Sequence, residues 1–369
     1  MIKVCHLTSV HPRNDVRVFY RQCVSLSKNY DVSLVVADGL GSSRQQNINI
    51  LDVGKPSNRL FRILFSTWKV FFRSLKTKSK IFHFHDPELF FVGLLLSFIG
   101  KKVIFDVHEN IVAQIRVKTW IPIYFRAFLS SIFNIINYIS VSFFSIILAE
   151  KSYLSLYKKH KRKNNIQIVL NYPNIDSLIE FRQLERTGNE FFYIGGVSNN
   201  RGLDVLIDAA KILHKKNLDF KIHLIGMIRD DFFIDDFPEL KKKIIFYGRK
   251  DFKSGYIISK KCIAGLAILK PIDNYINSYP TKIFEYMTIG LPVITSNFKL
   301  YEGVVKDNHT GICVNPLSPR DIADVLEGFI NLKYDIKKMS ELGVKVVKEK
   351  YSWKFELKKL LKLYKSLEN

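Results

Sequence analysis

Short apolar runs recur along the chain and alternate with stretches of helical period, a pattern that predicts parallel sheets covered on both faces. Residues 2–9, IKVCHLTS, read as a buried first strand, and after the loop HPRND comes a helix with Val18, Val24 and Leu26 on its inner face. Further strands are predicted at 31–38, 47–53, 80–86 and 102–110, with helical patterns between them. The pattern restarts after the basic tract KKHKRKNN at 158–165: IQIVLNYPN closes the first series, and EFFYIGG at 190–196 opens a second. FKIHLIG, KIIFYGR, GLAIL, LPVITS and GICVN continue that second series, separated by helical patterns such as LDVLIDAAKIL. The fold class is therefore α/β, with two Rossmann-like domains, 1–168 and 169–352, expected to face each other. The carboxyl ends of their strands would line a cleft, the place where open α/β sheets bind ligands. The final stretch, YSWKFELKKLLKLYKSLEN, is predicted to be an amphipathic helix with Trp353, Phe355, Leu357, Leu360 and Leu361 on one stripe.

A length of 369 residues suits two such domains, and 47% hydrophobic with 25% charged residues is the composition of a folded chain. The net charge of +23 implies an anionic partner: nucleic acid, lipid headgroups or a phosphorylated substrate. No zinc-finger, helix-turn-helix or RNP signature accompanies the charge, so nucleic acid is not expected. Cys5, Cys23, Cys262 and Cys313 show no metal-ligand spacing, and no secretory signal opens the chain. Together these predict a reduced, cytoplasmic protein. The apolar stretch 125–148 is long enough to span a bilayer, but Asn134, Asn137 and its serines argue against it. A buried or interdomain-facing helix running into a strand is the expected form. An interfacial helix, held peripherally at the inner face of the plasma membrane, would also suit the basic charge.

The segment NSYPTKIFEYMTIGLPVITS, 277–296, combines a loop, a proline-initiated helix and a strand. Pro280 and Thr281 open a helix whose free N–H groups form a natural diphosphate site, and Lys282 adds a full charge. Glu285, one turn further in, could accept both hydroxyls of a ribose. Here the sequence resembles family 4 of the retaining, two-Rossmann-domain glycosyltransferases (GT-B type, glycosyl transferases group 1), in which a similar P-x-K-x-x-E-Y-M-x-x-G-x-P-V-I segment forms much of the donor site. YIGGVSNNRGLDVLIDA at 193–209 is similar to the family's phosphate loop, with Arg201 at one basic position and Gly195 and Gly196 allowing close backbone approach. FHFHDPELFFVG and IFDVHEN resemble segments at strand ends of the first domain. By that resemblance His108 contacts the transferred sugar, with His85, Asp86, Glu88 and Glu109 beside the acceptor. SVHPRNDVRVFYRQ, similar to the family's first loop and helix, places Asp15 and Arg17 toward acceptor or phosphate, unless Arg17 simply pairs with Asp15. The resemblance also implies that the final helix, about 353–369, returns to the first domain.

Two positions depart from the family pattern. Its paired carboxylate E-x7-E begins here with Asn277, and its first phosphate arginine is replaced by Gly196. Asn277 can still hydrogen-bond sugar hydroxyls through its amide. The adjacent pairs Asp230–Asp231 and Asp235–Asp236 read as solvated charge, so neither a metal nor any other cofactor is expected. The resemblance implies transfer from a UDP- or GDP-sugar to a glycan acceptor. An acceptor carried on a lipid, as in bacterial cell-surface polysaccharide (O-antigen, capsule or exopolysaccharide) assembly, fits the basic first domain. A catalytically silent, transferase-like binding subunit and a nucleotide-sugar epimerase remain as alternatives. No GxGxxG follows either first strand, which disfavours a dehydrogenase.

Overall fold

The computed structural model describes residues 1–117, 121–157, 166–228 and 234–368, so the tract 158–165 and the pair Asp230–Asp231 lie outside the described residues. The chain forms two compact units: Met1–Asn171 together with Trp353–Asn369, and Tyr172–Ser352.

The first unit is built on β1 (Lys3–Leu7), β2 (Asp31–Val36), β3 (Ser43–Gln45), β4 (Ile48–Asp52), β5 (Ile81–Phe84), β6 (Lys102–Val107), β7 (Ser145–Leu148) and β8 (Ile166–Ile168), in the order β3-β4-β2-β1-β5-β6-β7-β8. Every pairing is parallel except that of β3 with β4. The central strands are buried on both faces, which is why they read as continuous apolar runs. The short edge strand β3 carries no such run and was not predicted. The helix Trp353–Ser366 belongs to this unit: Trp353, Leu360 and Tyr364 pack with Val4, Val32 and Ile104. Glu356 shares its buried face and accepts the Leu170 N–H at 2.8 Å. The predicted stripe differs at Phe355, which stays outside this core cluster.

The predicted helix after the first loop forms as a π-helix, Val16–Cys23, that continues as α-helix to Leu26, with Val18 and Leu26 buried. The apolar stretch at 125–148 becomes the helix Ile123–Phe143 followed by β7. It is not the buried helix expected, because Phe125 and Phe128 are 58% and 60% exposed. Among the described residues, no helix is long and apolar enough to cross a membrane.

The second unit holds β9 (Glu190–Ile194), β10 (Lys221–Ile225), β11 (Ile244–Phe246), β12 (Ala264–Ala267), β13 (Val293–Ser296) and β14 (Gly311–Val314) in the order β11-β10-β9-β12-β13-β14, all parallel. The order reverses between β9 and β12. A ligand is expected beyond the carboxyl ends of the strands at that switch point, where β9 runs into Gly195.

Candidate functional site

In the second unit three elements converge beyond β9. The glycine loop supplies Gly195 at φ +135, a conformation that side chains other than glycine rarely adopt. A Cβ there would lie 3.2 Å from the Lys282 amine and 3.3 Å from the Arg201 guanidinium. Lys282 enters from the helix Thr281–Thr288, which Pro280 precedes as N-cap, and Arg201 from the turn Asn199–Arg201 ahead of the helix Leu203–Lys215. The Lys282 Nζ is buried without a hydrogen-bond partner and stands 3.6 Å from the centre of the Tyr193 ring. Burial, reinforced by the Arg201 charge and only partly opposed by Glu285, holds its pKa well below the usual lysine value. The Arg201 guanidinium and the Lys282 amine thus converge on one place, with no carboxylate hydrogen-bonded to the amine.

Gly196 leaves open the place where an arginine was expected, and its carbonyl accepts the Tyr193 hydroxyl at 2.5 Å. Glu285 accepts the Tyr256 hydroxyl at 2.7 Å, which orients the carboxylate on the same helix as Lys282. Asn277 is exposed, and its amide group donates to the Asp273 carboxylate at 2.7 Å and carbonyl at 3.1 Å. Its NH2 is thus committed within its own short turn, leaving the amide oxygen for a sugar hydroxyl. Sequence reading missed Tyr193, Tyr256 and Tyr275, the last with its ring centroid 6.0 Å from Arg201. A tyrosine in a strand or short helix gives no local sign that it flanks a cation.

In the first unit the polar residues gather at the carboxyl ends of β1, β5 and β6. Asp86 accepts the Thr8 hydroxyl at 2.7 Å and the backbone N–H groups of Ser9 at 2.6 Å and Val10 at 3.1 Å. Glu88 is held by Ser9 Oγ at 2.6 Å and by Arg62 at 2.8 and 3.1 Å. Glu109 is exposed and accepts from Gln114 at 3.1 Å. Asp15 caps the Val16–Cys23 helix through the N–H groups of Arg17 and Val18, both at 2.8 Å. The Arg17 side chain, expected either at a substrate or on Asp15, instead turns inward and grips buried Asp106 at 2.8 and 2.7 Å. It also donates to Asn171 at 2.6 Å, so the guanidinium is spent on the interior.

His11, which sequence reading passed over, sits 2.9 Å from His108, Nε2 to Nε2. Hydrogen-bond logic fixes the protons. His108 Nδ1 faces the Asp106 carbonyl at 3.2 Å and must donate, so its Nε2 accepts. His11 therefore donates through Nε2 and also faces Asp15 with Nδ1 at 3.4 Å. Burial lowers its pKa, but the bond to Asp15 and the charges of Asp86, Asp15 and Glu109 raise it above the usual value. His108 is lowered by burial, which outweighs Asp106, and stays neutral. Ligand atoms of His11, Asp86 and His108 lie within 4.8 Å of one another.

Beneath these groups runs a one-way hydrogen-bond chain. His85 donates to Asp106 at 3.2 Å and accepts from His6 at 3.0 Å; His6 accepts from Tyr364 at 3.2 Å, and Tyr364 accepts from His83 at 2.8 Å. Asp106 can only accept, so it sets the direction of the chain. Burial, with the mutual charge of the rings, pushes His6 and His83 well below the usual histidine value. The unfolded chain therefore takes up more protons than the folded one as pH falls below about 6.5, and stability falls with it; His11, shifted upward, offsets part of this. Thermal unfolding followed from pH 7.5 to 5.5 should show a falling Tm, with a shallower slope in His83→Gln. A flat profile in that window would contradict the neutral chain.

A cavity of about 960 Å³ opens beside these groups. His11, His85, Asp86, Glu88, His108 and Glu109 line one end, so the residues predicted on the acceptor side do come together, except Asp15 and Arg17.

These two parallel α/β units define a GT-B glycosyltransferase fold. In solved structures the chain is similar to the Anabaena protein HepE in complex with UDP-glucose, with a TM-score of 0.71 and 14% identity over 99% of this chain and 100% of that one. It is similar also to WaaG, a glycosyltransferase involved in lipopolysaccharide biosynthesis, with a TM-score of 0.67 and 14% identity over 97% and 98% of the two chains. An uncharacterized glycosyltransferase of Methanocaldococcus jannaschii is 23% identical over 84% of this chain and 79% of its own length. Residues 174–346 match the family Glycosyl transferases group 1. With these likenesses and this match, the chain is a glycosyltransferase.

Proposed function

We propose that the protein transfers a sugar from a nucleoside-diphosphate sugar, bound by the second unit, to a lipid-borne glycan acceptor bound by the first, with retention of configuration. The observation that carries this reading is the buried, unpartnered Lys282 amine beside Arg201 across a glycine that leaves room for an anion. The UDP-glucose bound to HepE supports a UDP-sugar donor, with GDP-sugar as the other candidate. Lys282, Arg201 and the N–H groups that follow Pro280 and Thr281 hold the diphosphate, where fixed charge and dipoles stabilise the departing dianion. Glu285, oriented by Tyr256, takes the ribose hydroxyls; His108 and the Asn277 oxygen contact the sugar. The acceptor oxygen bonds to the anomeric carbon on the face that the diphosphate leaves. Its proton passes to the departing phosphate oxygen, so no protein nucleophile is needed. Involvement of the similar WaaG in lipopolysaccharide biosynthesis supports a role in cell-surface polysaccharide assembly, at the cytoplasmic face of the membrane.

The test is NMR of the product formed from an α-linked donor: an α-linked product is expected, and a β-linked one overturns retention. Gly195→Val should abolish measurable donor binding, because its side chain would fall on the two cations in a backbone conformation it rarely adopts. Donor binding at wild-type strength would remove the glycine loop from the site. No metal is needed in this scheme, so turnover should persist within twofold in excess EDTA, and a loss restored by Mg2+ or Mn2+ would overturn that part. The tethering of Asn277 to Asp273 favours one other reading, a silent binding subunit, which donor binding with neither transfer nor donor hydrolysis would support.

A further inference from the structure

We infer that the cavity of the first unit holds the hydrocarbon chain of the acceptor, a single-chain amphiphile whose sugar head lies beside His108. The inference rests on the glycosyl transfer proposed above and names what that acceptor must carry. Away from the polar end, the walls are apolar: Val92, Leu95, Ile115, Leu129, Phe133 and Ile136. At about 960 Å³ the volume is near the top of the roughly 300–1,000 Å³ range of small-molecule sites. A free oligosaccharide would fill only the polar end, since hydroxyls pushed deeper would lose their hydrogen bonds to water and find no partners. An apolar chain gains from the same walls.

The ends of the cavity define the orientation. Asp86 and the Glu88–Arg62 pair present fixed polar groups to which sugar hydroxyls can bond. The lining residues Trp68, Phe91 and Phe125 remain 50%, 70% and 58% exposed, so aromatic rings of the cavity also meet solvent. Outside the lining, Phe72 lies against Trp68 and Phe128 against Phe125, ring centroids 6.5 and 6.0 Å apart, and both are exposed, so the apolar surface extends beyond the cavity. Such a surface, with Arg59, Lys69 and Arg126 among these aromatics in sequence, suits delivery of a chain from a lipid surface.

The probe is a series of n-alkyl β-D-glucopyranosides from methyl to decyl, each below its critical micelle concentration and titrated calorimetrically into the full-length protein. Methyl glucoside should bind too weakly to measure, and affinity should then rise roughly fourfold per added methylene. Leu129→Arg, which places a charge in the apolar wall, should abolish the dependence on chain length. Phe128→Arg, at a neighbouring position outside the lining, should preserve it. Thermal stabilisation by UDP-glucose, measured on the same variants, reports whether the second unit is intact. Affinity independent of chain length, an unchanged dependence in Leu129→Arg, or binding only to vesicles of phosphatidylcholine and phosphatidylglycerol would overturn the inference. Chain-length dependence without any response to nucleotide sugars would uphold the cavity and overturn the transfer reading instead.

Discussion

Lys282→Met should leave the free protein at least as stable as wild type while removing its response to nucleoside diphosphates. Most buried lysines are paired, and cutting one partner away from a pair is costly. Lys282 has no hydrogen-bond partner to lose, and its amine pays desolvation beside the Arg201 charge. Methionine keeps the volume and flexibility of the side chain and removes that penalty. With a diphosphate present the balance inverts, because the amine becomes a contact to the charge that grows on the leaving group. Loss of one such fixed contact costs about 10²–10³ in kcat.

The depressed pKa adds a signature that a merely structural lysine would lack. A diphosphate raises the amine's pKa, so binding should take up a proton and weaken as pH rises through the range where the free amine titrates. Calorimetry of UDP binding in buffers of different ionisation enthalpy should show proton uptake by wild type and none by Lys282→Met. Equal uptake in both proteins would move the titrating group elsewhere.

The second large effect belongs to the first unit. Asp106→Ala should destabilise it by about 3–5 kcal/mol, because the Arg17 guanidinium would remain buried with its bidentate partner gone. Asp106 also accepts from Gln22 at 2.8 Å and anchors His85, so the whole hydrogen-bond chain loses its terminus. The burial that should raise the Asp106 pKa is overcome by the Arg17 charge and the His85 hydrogen bond, which hold it well below the usual carboxylate range. The double variant Arg17→Met with Asp106→Leu should recover much of the loss, since it leaves no orphaned charge. Calorimetric unfolding would show this, and a single-variant loss below about 1 kcal/mol would mean that the pair is not the tie it resembles.

The strands were legible because parallel strands buried on both faces are mostly apolar, and β1, β5, β6, β9 and β13 carry that signature although His6, His83 and Asp106 interrupt it. β3 was not, because an edge strand of SRQ pairs through its backbone alone. The helix start at Pro280 and the glycine turn at Gly195 announce themselves locally, whereas the roles given to Lys282, Arg201 and Glu285 came from the family resemblance. Arg17 was misread since nothing near it in sequence reveals that its partner, Asp106, arrives on β6 from the far side of β1 and β5. His11 escaped notice for a similar reason: only the fold brings it to His108. The cavity too is a product of tertiary packing, assembled from helices that each read as merely apolar.

The most direct test of the donor site is thermal unfolding of wild type and Lys282→Met against UDP-, GDP-, ADP- and CMP-sugars. At about a hundred times the dissociation constant, the matching nucleotide sugar should stabilise wild type by roughly 2.7 kcal/mol and leave Lys282→Met unmoved. Equal stabilisation of both proteins, or of neither by any of the four, would contradict a donor site built on Lys282 and Arg201.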